Sequence, residues 1–373
     1  MGMRIVYVLT SLGMGGAERQ VLALADRMAV RGHAVALLVL RPKLPYEWPT
    51  SHNVVRLEMR RTPFSTLAGL ARGVRFIGDF KPDVVHSHSF HANIVARLLK
   101  VLVPGIAVLS TIHNVYEGGW LRMAAYRLTD FLSYRTTAVS QAAVDRFVRI
   151  KAVPQSKCIA LTNGIDTAEF APNADNRGST RARMDADTEF IWIAVGRVVP
   201  AKDYPNLLAA FAQVRAIKPD AQVWIAGDAD VSASGRSARF VARLKKGSPG
   251  GVHWLGLRRD LRDLLEAADA FVLSSAWEGM PLALGEAMAM EKPVVATDVG
   301  GVRELLWACG SLVPPKDPRA LATAMLEVMH IPEEDRSTLG RAARARIEHY
   351  FNMDDKADEW ESLYRTVCAG SRL

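Results

Sequence analysis

The string Glu278-Gly279-Met280-Pro281-Leu282-Ala283-Leu284-Gly285-Glu286 places two carboxylates eight positions apart, directly after an apolar run that ends in Ser274-Ser275. It reads as the carboxyl end of a strand, a loop and the start of a helix. Pro281 suits the first helical position, and the free N–H groups around it can hold a phosphate without a metal. Glu286 then falls about one and a half turns into the helix, where a carboxylate accepts hydrogen bonds from two sugar hydroxyls. Gly196-Arg197 follows another apolar run, and Lys202 comes five residues later. Two cations beside a turn at the carboxyl edge of a sheet suit a diphosphate. Val299-Gly300-Gly301 adds a small-residue turn where a sugar or phosphate can lie against the backbone.

The first half offers a second loop of this kind, Ser11-Leu12-Gly13-Met14-Gly15-Gly16-Ala17-Glu18. Small residues where a strand turns into a helix let backbone N–H groups approach an anion. A dinucleotide fingerprint needs a glycine where Glu18 stands and an acidic residue after the second strand, where Leu40 is followed by Arg41; both departures argue against a nicotinamide enzyme. His86 and His88 alternate onto the same side of a strand, with His91 beyond. No cysteine or carboxylate joins them at ligand spacing, so no metal site is expected.

Apolar runs of five to seven residues must position these groups, and they alternate with segments of helical period, the pattern of parallel sheets covered by helices. The expected strands are Arg4–Thr10, Ala34–Leu40, Asp83–His86, Val108–Ile112 and Thr137–Val139, then Phe190–Val195, Gln222–Ala226, His253–Leu255, Ala270–Ser274 and Pro293–Thr297. Helices are expected over Ala17–Arg31 and Phe64–Asp79. The polar stretch 171–188 reads as a linker. The expected organisation is therefore an N-terminal domain (1–170), this linker, a second domain (189–353) and a C-terminal helix (354–373) that can return to the first domain.

These pieces resemble, in kind and in order along nearly the whole chain, the retaining glycosyltransferases of family 4. The resemblance rests on Gly15-Gly16, His86-Ser87-His88, Thr111-Ile112-His113-Asn114, Val139-Ser140, Asn163-Gly164-Ile165-Asp166 with Phe170 and Pro172, Gly196-Arg197 with Lys202, and the string from Glu278 to Glu286. It implies an α/β fold of GT-B architecture, two Rossmann-like domains facing a central cleft. By the same resemblance Arg197 and Lys202 hold the diphosphate of a nucleotide-sugar donor and Glu286 the ribose. Glu278 holds the transferred sugar, and the backbone at Gly279, Met280, Pro281 and Leu282 contacts sugar and phosphates. Gly196 belongs to the donor site beside Arg197; Gly227, Asp228, Leu257 and Arg258 border the base, and Gly15 and Gly16 face the diphosphate from the other domain. His113 is expected nearest the reacting carbon, with His88 and Ser140 on the acceptor side.

The implied reaction moves a hexosyl unit from a UDP-sugar with retention, by a front-face route that needs no protein nucleophile. Neither a metal nor any other cofactor is expected. Two other readings remain: a nucleotide-sugar epimerase, which needs no second acceptor, and a sugar-nucleotide binding protein without catalysis, against which intact Arg197, Lys202, Glu278 and Glu286 argue.

Of the 373 residues, positions 1–165 carry 21 basic and 9 acidic side chains and positions 166–373 carry 26 and 30, so the acceptor half is the positive one. Neither zinc-finger spacing nor a ribonucleoprotein motif accompanies that charge, which argues against nucleic acid. Three scattered cysteines and the lack of a signal-peptide core point to the cytoplasm. Arg56, Arg60, Arg61 and Lys100, with Trp120, Leu121, Met123, Tyr126, Leu128, Phe131, Leu132 and Tyr134 interleaved with Arg122, Arg127 and Arg135, suit peripheral docking on an anionic leaflet. The expected acceptor is a glycan or a polyprenyl-diphosphate-linked sugar of bacterial surface polysaccharide assembly.

Overall fold

The computed structural model describes residues 2–60, 62–173, 175–186, 188–228 and 235–370. They form two compact units, Met1–Gly164 with Met353–Leu373, and Ile165–Asn352.

In the first unit a parallel sheet is built from β1 (Arg4–Leu9), β2 (Ala34–Val39), β3 (Asn53–Arg56), β4 (Val84–His88), β5 (Ala107–Ile112), β6 (Arg135–Ala138) and β7 (Cys158–Ala160), in the order β3-β2-β1-β4-β5-β6-β7. Strand β1 shows why it is an apolar run rather than an alternating one. Ile5, Tyr7 and Leu9 pack under the helices Gly16–Val30 and Met353–Gly370. Val6 and Val8 pack under Pro63–Phe80 and Phe90–Leu102 on the other face. Successive side chains serve two cores, so every position must be apolar.

The second unit repeats the plan with β8 (Ile191–Val195), β9 (Gln222–Ala226), β10 (Val252–Gly256), β11 (Ala270–Leu273), β12 (Val294–Thr297) and β13 (Ser311–Val313), ordered β10-β9-β8-β11-β12-β13. Chain order reverses between β1 and β4 in one sheet and between β8 and β11 in the other. In open parallel sheets the crevice outside the carboxyl ends at such a point is where ligands bind.

Strands β3, β7 and β13 lie outside the sequence expectation, because three or four residues on a half-buried edge carry too little periodicity to be read. The expected linker at 171–188 needs correction. It contains the helix Asp175–Arg183, which packs on Leu261–Ala267 within the second unit. Its hold is polar: Arg177 donates to the carbonyls of Glu266 (2.9 Å) and Ala268 (3.0 Å) and pairs with Asp269, and Asn173 N–H donates to Glu266. Hydrophobic patterning cannot register such a hold. The boundary between units therefore falls at Gly164, ahead of the expected 170.

The C-terminal helix Met353–Gly370 belongs to the first unit and buries Trp360, Tyr364 and Val367 there. With that segment counted, the first unit holds 24 basic and 14 acidic residues, so the charge contrast is smaller than the contrast between chain halves and has the same sign.

Candidate active site

The turns after β8 and β9 meet backbone to backbone. A Cβ on Gly227 would lie 1.9 Å from the Gly196 carbonyl oxygen, so only glycine fits. Gly196 N–H donates to Ala226 O (3.0 Å) and Gly227 N–H to Gly256 O (2.8 Å), which brings Gly196, Gly227 and the exposed Leu257 to one edge. Tyr204 donates its hydroxyl to Gly196 O at 2.7 Å; burial, with the Glu278 charge in second place, raises that phenol's pKa. Arg258, expected at the base, is engaged by Asp260 at 2.5 Å.

Lys202 ends the short 3-10 turn Pro200–Lys202, and Asp203 in left-handed conformation opens the helix Tyr204–Ile217. The Lys202 ammonium sits 2.6 Å from Glu278 Oε1, and Ser275 donates to the same oxygen at 2.6 Å. Both partners are needed because the Glu278 side chain is only 9 % exposed, and a carboxylate removed from water must be compensated by charge and hydrogen bonds. Ser274 Oγ donates to Lys202 O (2.9 Å) and Ala276 N–H to Ala201 O (2.8 Å), joining the exit of β11 to the Lys202 turn. From the other side Thr297 Oγ1 donates to Ser275 O (2.7 Å) and Gly301 N–H to Gly279 O (2.8 Å), so the Val299-Gly300-Gly301 turn braces the loop that carries Glu278.

The helix that follows spans Leu282–Ala289. Pro281 is the flanking residue before it, with ψ of 113°, and accepts the first helical hydrogen bond from Gly285, one position earlier than expected. Its carbonyl enters the ladder while its ring nitrogen has no hydrogen to leave unpaired. The first-turn N–H groups of Leu282, Ala283 and Leu284 are those without a carbonyl four residues back inside the helix. Glu286, the fifth helical residue, is buried together with Gly279 and Met280, and Arg197 is exposed.

In the first unit Gly15 precedes the helix Gly16–Val30, its N–H donating to Gly13 O at 2.7 Å. A Cβ on Gly15 would lie 2.4 Å from Glu18 Oε2, so a carboxylate of the chain itself curls onto the start of this helix, where negative charge is favoured. His86 is structural. Its Nδ1 lies 2.7 Å from Tyr364 Oη and its Nε2 2.6 Å from Thr111 Oγ1.

His88 and Ser140 need correction as acceptor-side residues. His88 is 3 % exposed, with Nδ1 2.9 Å from His113 Nε2, and so stands behind His113. Ser140 is fully buried, and its Oγ accepts from Ala143 N–H to cap the helix Gln141–Arg149. His113, half-buried just beyond β5, is the imidazole nearer solvent. Its backbone N–H donates to Glu117 Oε1 (3.0 Å), Glu117 Oε2 accepts from Tyr126 Oη (2.6 Å), and Asn93 donates to Tyr126 Oη (2.9 Å) and to Thr111 O (3.0 Å). Burial pulls His113 down to about 4 and pushes Glu117 up to about 7; His86 and His88 fall well below the usual histidine range, through burial first and neighbouring imidazoles second.

Two family models match, "Glycosyltransferase Family 4" over residues 14–169 and "Glycosyl transferases group 1" over 189–330. Among curated relatives, the Escherichia coli UDP-Gal:alpha-D-GlcNAc-diphosphoundecaprenol alpha-1,3-galactosyltransferase is 27% identical over 76% of this chain and 75% of its own length. Alpha-maltose-1-phosphate synthase of Mycobacterium tuberculosis is 29% identical over 77% and 79%. Anabaena HepE, solved with UDP-glucose, shares the fold with a TM-score of 0.83 at 20% identity, over 98% of this chain and all of that one. The chain belongs to glycosyltransferase family 4, with the GT-B fold. Both sets of motifs in this glycosyltransferase thus stand at the reversal points of their own sheets.

Sequence reading missed Tyr204, Ser275 and Thr297 in the second unit, and Glu117, Tyr126 and Asn93 in the first. Glu117 carried one legible signal, an acidic residue four positions after a strand-end histidine. The others are ordinary residues whose role exists only through folding. The apolar set expected at a membrane divides: Tyr126 is fully buried and Met123, Leu132 and Tyr134 partly so, while Trp120, Leu121, Leu128 and Phe131 are exposed. Arg56 is paired with Glu47 at 2.7 Å, and Arg61 lies outside the described residues.

Proposed function

We propose that this glycosyltransferase moves a hexosyl unit from a UDP-sugar to a glycan or polyprenyl-diphosphate-linked acceptor with retention of anomeric configuration. The observation that carries the reading is the Lys202–Glu278 pair at 2.6 Å, held beside the buried Glu286 at the β8/β11 reversal. Arg197, Lys202 and the N–H groups of Leu282, Ala283 and Leu284 meet the diphosphate, Glu286 the ribose hydroxyls and Glu278 the sugar hydroxyls; Gly196, Gly227 and Leu257 border the base. The acceptor oxygen attacks the anomeric carbon on the face from which the diphosphate departs. The bond to the diphosphate oxygen breaks, and the acceptor's proton passes to the departing phosphate. Fixed positive charge where negative charge develops is the main catalytic contribution, with no metal required.

The galactosyltransferase named above supports the UDP donor and the diphospholipid acceptor by its printed activity. A donor screen by mass spectrometry, with a lipid-diphosphate extract as acceptor and chelator present, is expected to yield a glycosylated lipid. An isomerised donor formed without acceptor indicates an epimerase instead.

The same proposal puts the enzyme peripherally on the cytoplasmic leaflet. No helix among the described residues is long and apolar enough to cross a membrane. Trp120, Leu121, Leu128 and Phe131 are 66% or more exposed beside the exposed Arg127, on the unit with the excess of basic residues. Vesicle sedimentation is expected to recover the enzyme with anionic but not neutral lipid, less so in high salt and less so for Trp120→Ser. Equal recovery throughout contradicts docking.

A further inference from the structure

His88 is a buried imidazole with one nitrogen on His113 and the other without a partner. Its Nδ1 lies 2.9 Å from His113 Nε2, and its Nε2 is buried with no hydrogen-bond partner among the described residues. Between two neutral imidazoles a single proton occupies the contact, so only two arrangements exist. In one, His113 donates from Nε2 and His88 carries its own proton on Nε2, which leaves a buried N–H with no acceptor. In the other, His88 donates from Nδ1, leaving a bare Nε2 with no donor. An orphaned buried donor is rarer in folded proteins than an under-satisfied acceptor, so the second arrangement is the stable one. A doubly protonated His88 is disfavoured by burial and by the ring of His86, 4.0 Å away between centroids.

We infer that His88 is a positioning residue that donates to His113 Nε2 and so fixes the His113 proton on Nδ1, making His113 a hydrogen-bond donor toward an oxygen of the bound ligand. With its Nε2 lone pair occupied by His88, His113 has no lone pair left to take a proton from the acceptor hydroxyl. The oxygen it meets belongs to a donor hydroxyl or a phosphate, both of which offer lone pairs. Glu117 fixes the same residue from the other side, through the His113 backbone N–H at 3.0 Å.

The inference rests on the expected place of His113 nearest the reacting carbon of the proposed transfer, and the two are tested separately. Long-range nitrogen–proton correlation on histidine-labelled enzyme, with His113 assigned by loss of its signals in His113→Gln, is expected to show a pyrrole-type Nδ1 and a pyridine-type Nε2. A proton on Nε2 of His113 overturns the inference whatever the activity. In kinetics, His88→Leu is expected to lower turnover about tenfold, the loss of one hydrogen bond in the reacting state. His88→Asn, whose amide can donate from the position of Nδ1, is expected to restore turnover to within roughly threefold of wild type. Equal losses for Leu and Asn overturn the donor role of His88; should both variants fold poorly, the wild-type spectrum decides alone. Wild-type turnover in His113→Ala overturns instead the reading on which the inference rests, and leaves the tautomer measurement standing.

Discussion

At the reversal between β8 and β11 the working groups are charged, with Lys202 on Glu278 and Glu286 on the next helix, whereas between β1 and β4 they are imidazoles that burial keeps neutral. The same sheet topology positions both sets. The difference lies in how each residue is compensated. One Glu278 oxygen is met by a cation and a hydroxyl, while His86, His88 and His113 meet hydroxyls and each other, with no carboxylate hydrogen-bonded to their rings among the described residues. The first set offers ionisable groups; the second offers oriented dipoles of imidazoles that burial holds neutral near neutral pH. Substitutions on the charged side are therefore expected to act on charge development, and those on the neutral side on geometry.

Removing positive charge from the charged side is the largest expected effect. Arg197→Ala is expected to lower turnover on the order of 10² or more, by analogy with losing one preorganised electrostatic donor. UDP affinity should change far less, because the charge is needed most as the diphosphate departs. Unchanged turnover removes Arg197 from the mechanism and with it the contrast between the two sides. Glu286→Ala comes next. A carboxylate holding two ribose hydroxyls contributes hydrogen bonds of about 1.5–3 kcal/mol each, so the UDP dissociation constant is expected to rise roughly tenfold or more. Calorimetry with UDP measures it, a thermal melt controls for folding, and equal affinity contradicts the ribose role.

The charged side was the more legible in sequence for a physical reason. Its residues come from a single strand-loop-helix passage, Glu278 to Glu286, and from one turn, Arg197 to Lys202, so local spacing already encodes their placement. The neutral side is assembled from β4, β5, the helix Trp120–Thr129 and the segment around Glu117, and no local pattern joins His88 to His113 or Glu117 to Tyr126. The same distinction separates the long buried strands, which periodicity revealed, from the helix Asp175–Arg183, whose contacts are arginine to carbonyl. Tyr364 shows the limit most plainly: its helix was readable, but its bond to His86, 278 positions away, was not.

The smallest expected effect is on pH dependence, and it probes Glu117, a carboxyl on the neutral side with a pKa of about 7. Glu117 is raised from 4.5 to about 7 by burial, against the opposing pull of Tyr126, the His113 N–H and Arg122. The folded state therefore holds this proton where the unfolded state has released it, and the associated stability, fully present below 4.5, is lost as pH rises through about 7. His86, His88 and His113, with lowered values, act in the opposite sense below 6.5, so the wild-type curve mixes both. Glu117→Gln isolates the carboxyl: the amide oxygen can still accept from His113 N–H and the amide nitrogen can donate to Tyr126 Oη, but nothing titrates. Relative to wild type, the variant is expected to gain stability as pH rises from 4.5 to about 7 and to level off above that, measured in urea melts. A difference that does not vary with pH means that Glu117 is ionised throughout, and the neutral side then carries a fixed negative charge beside His113.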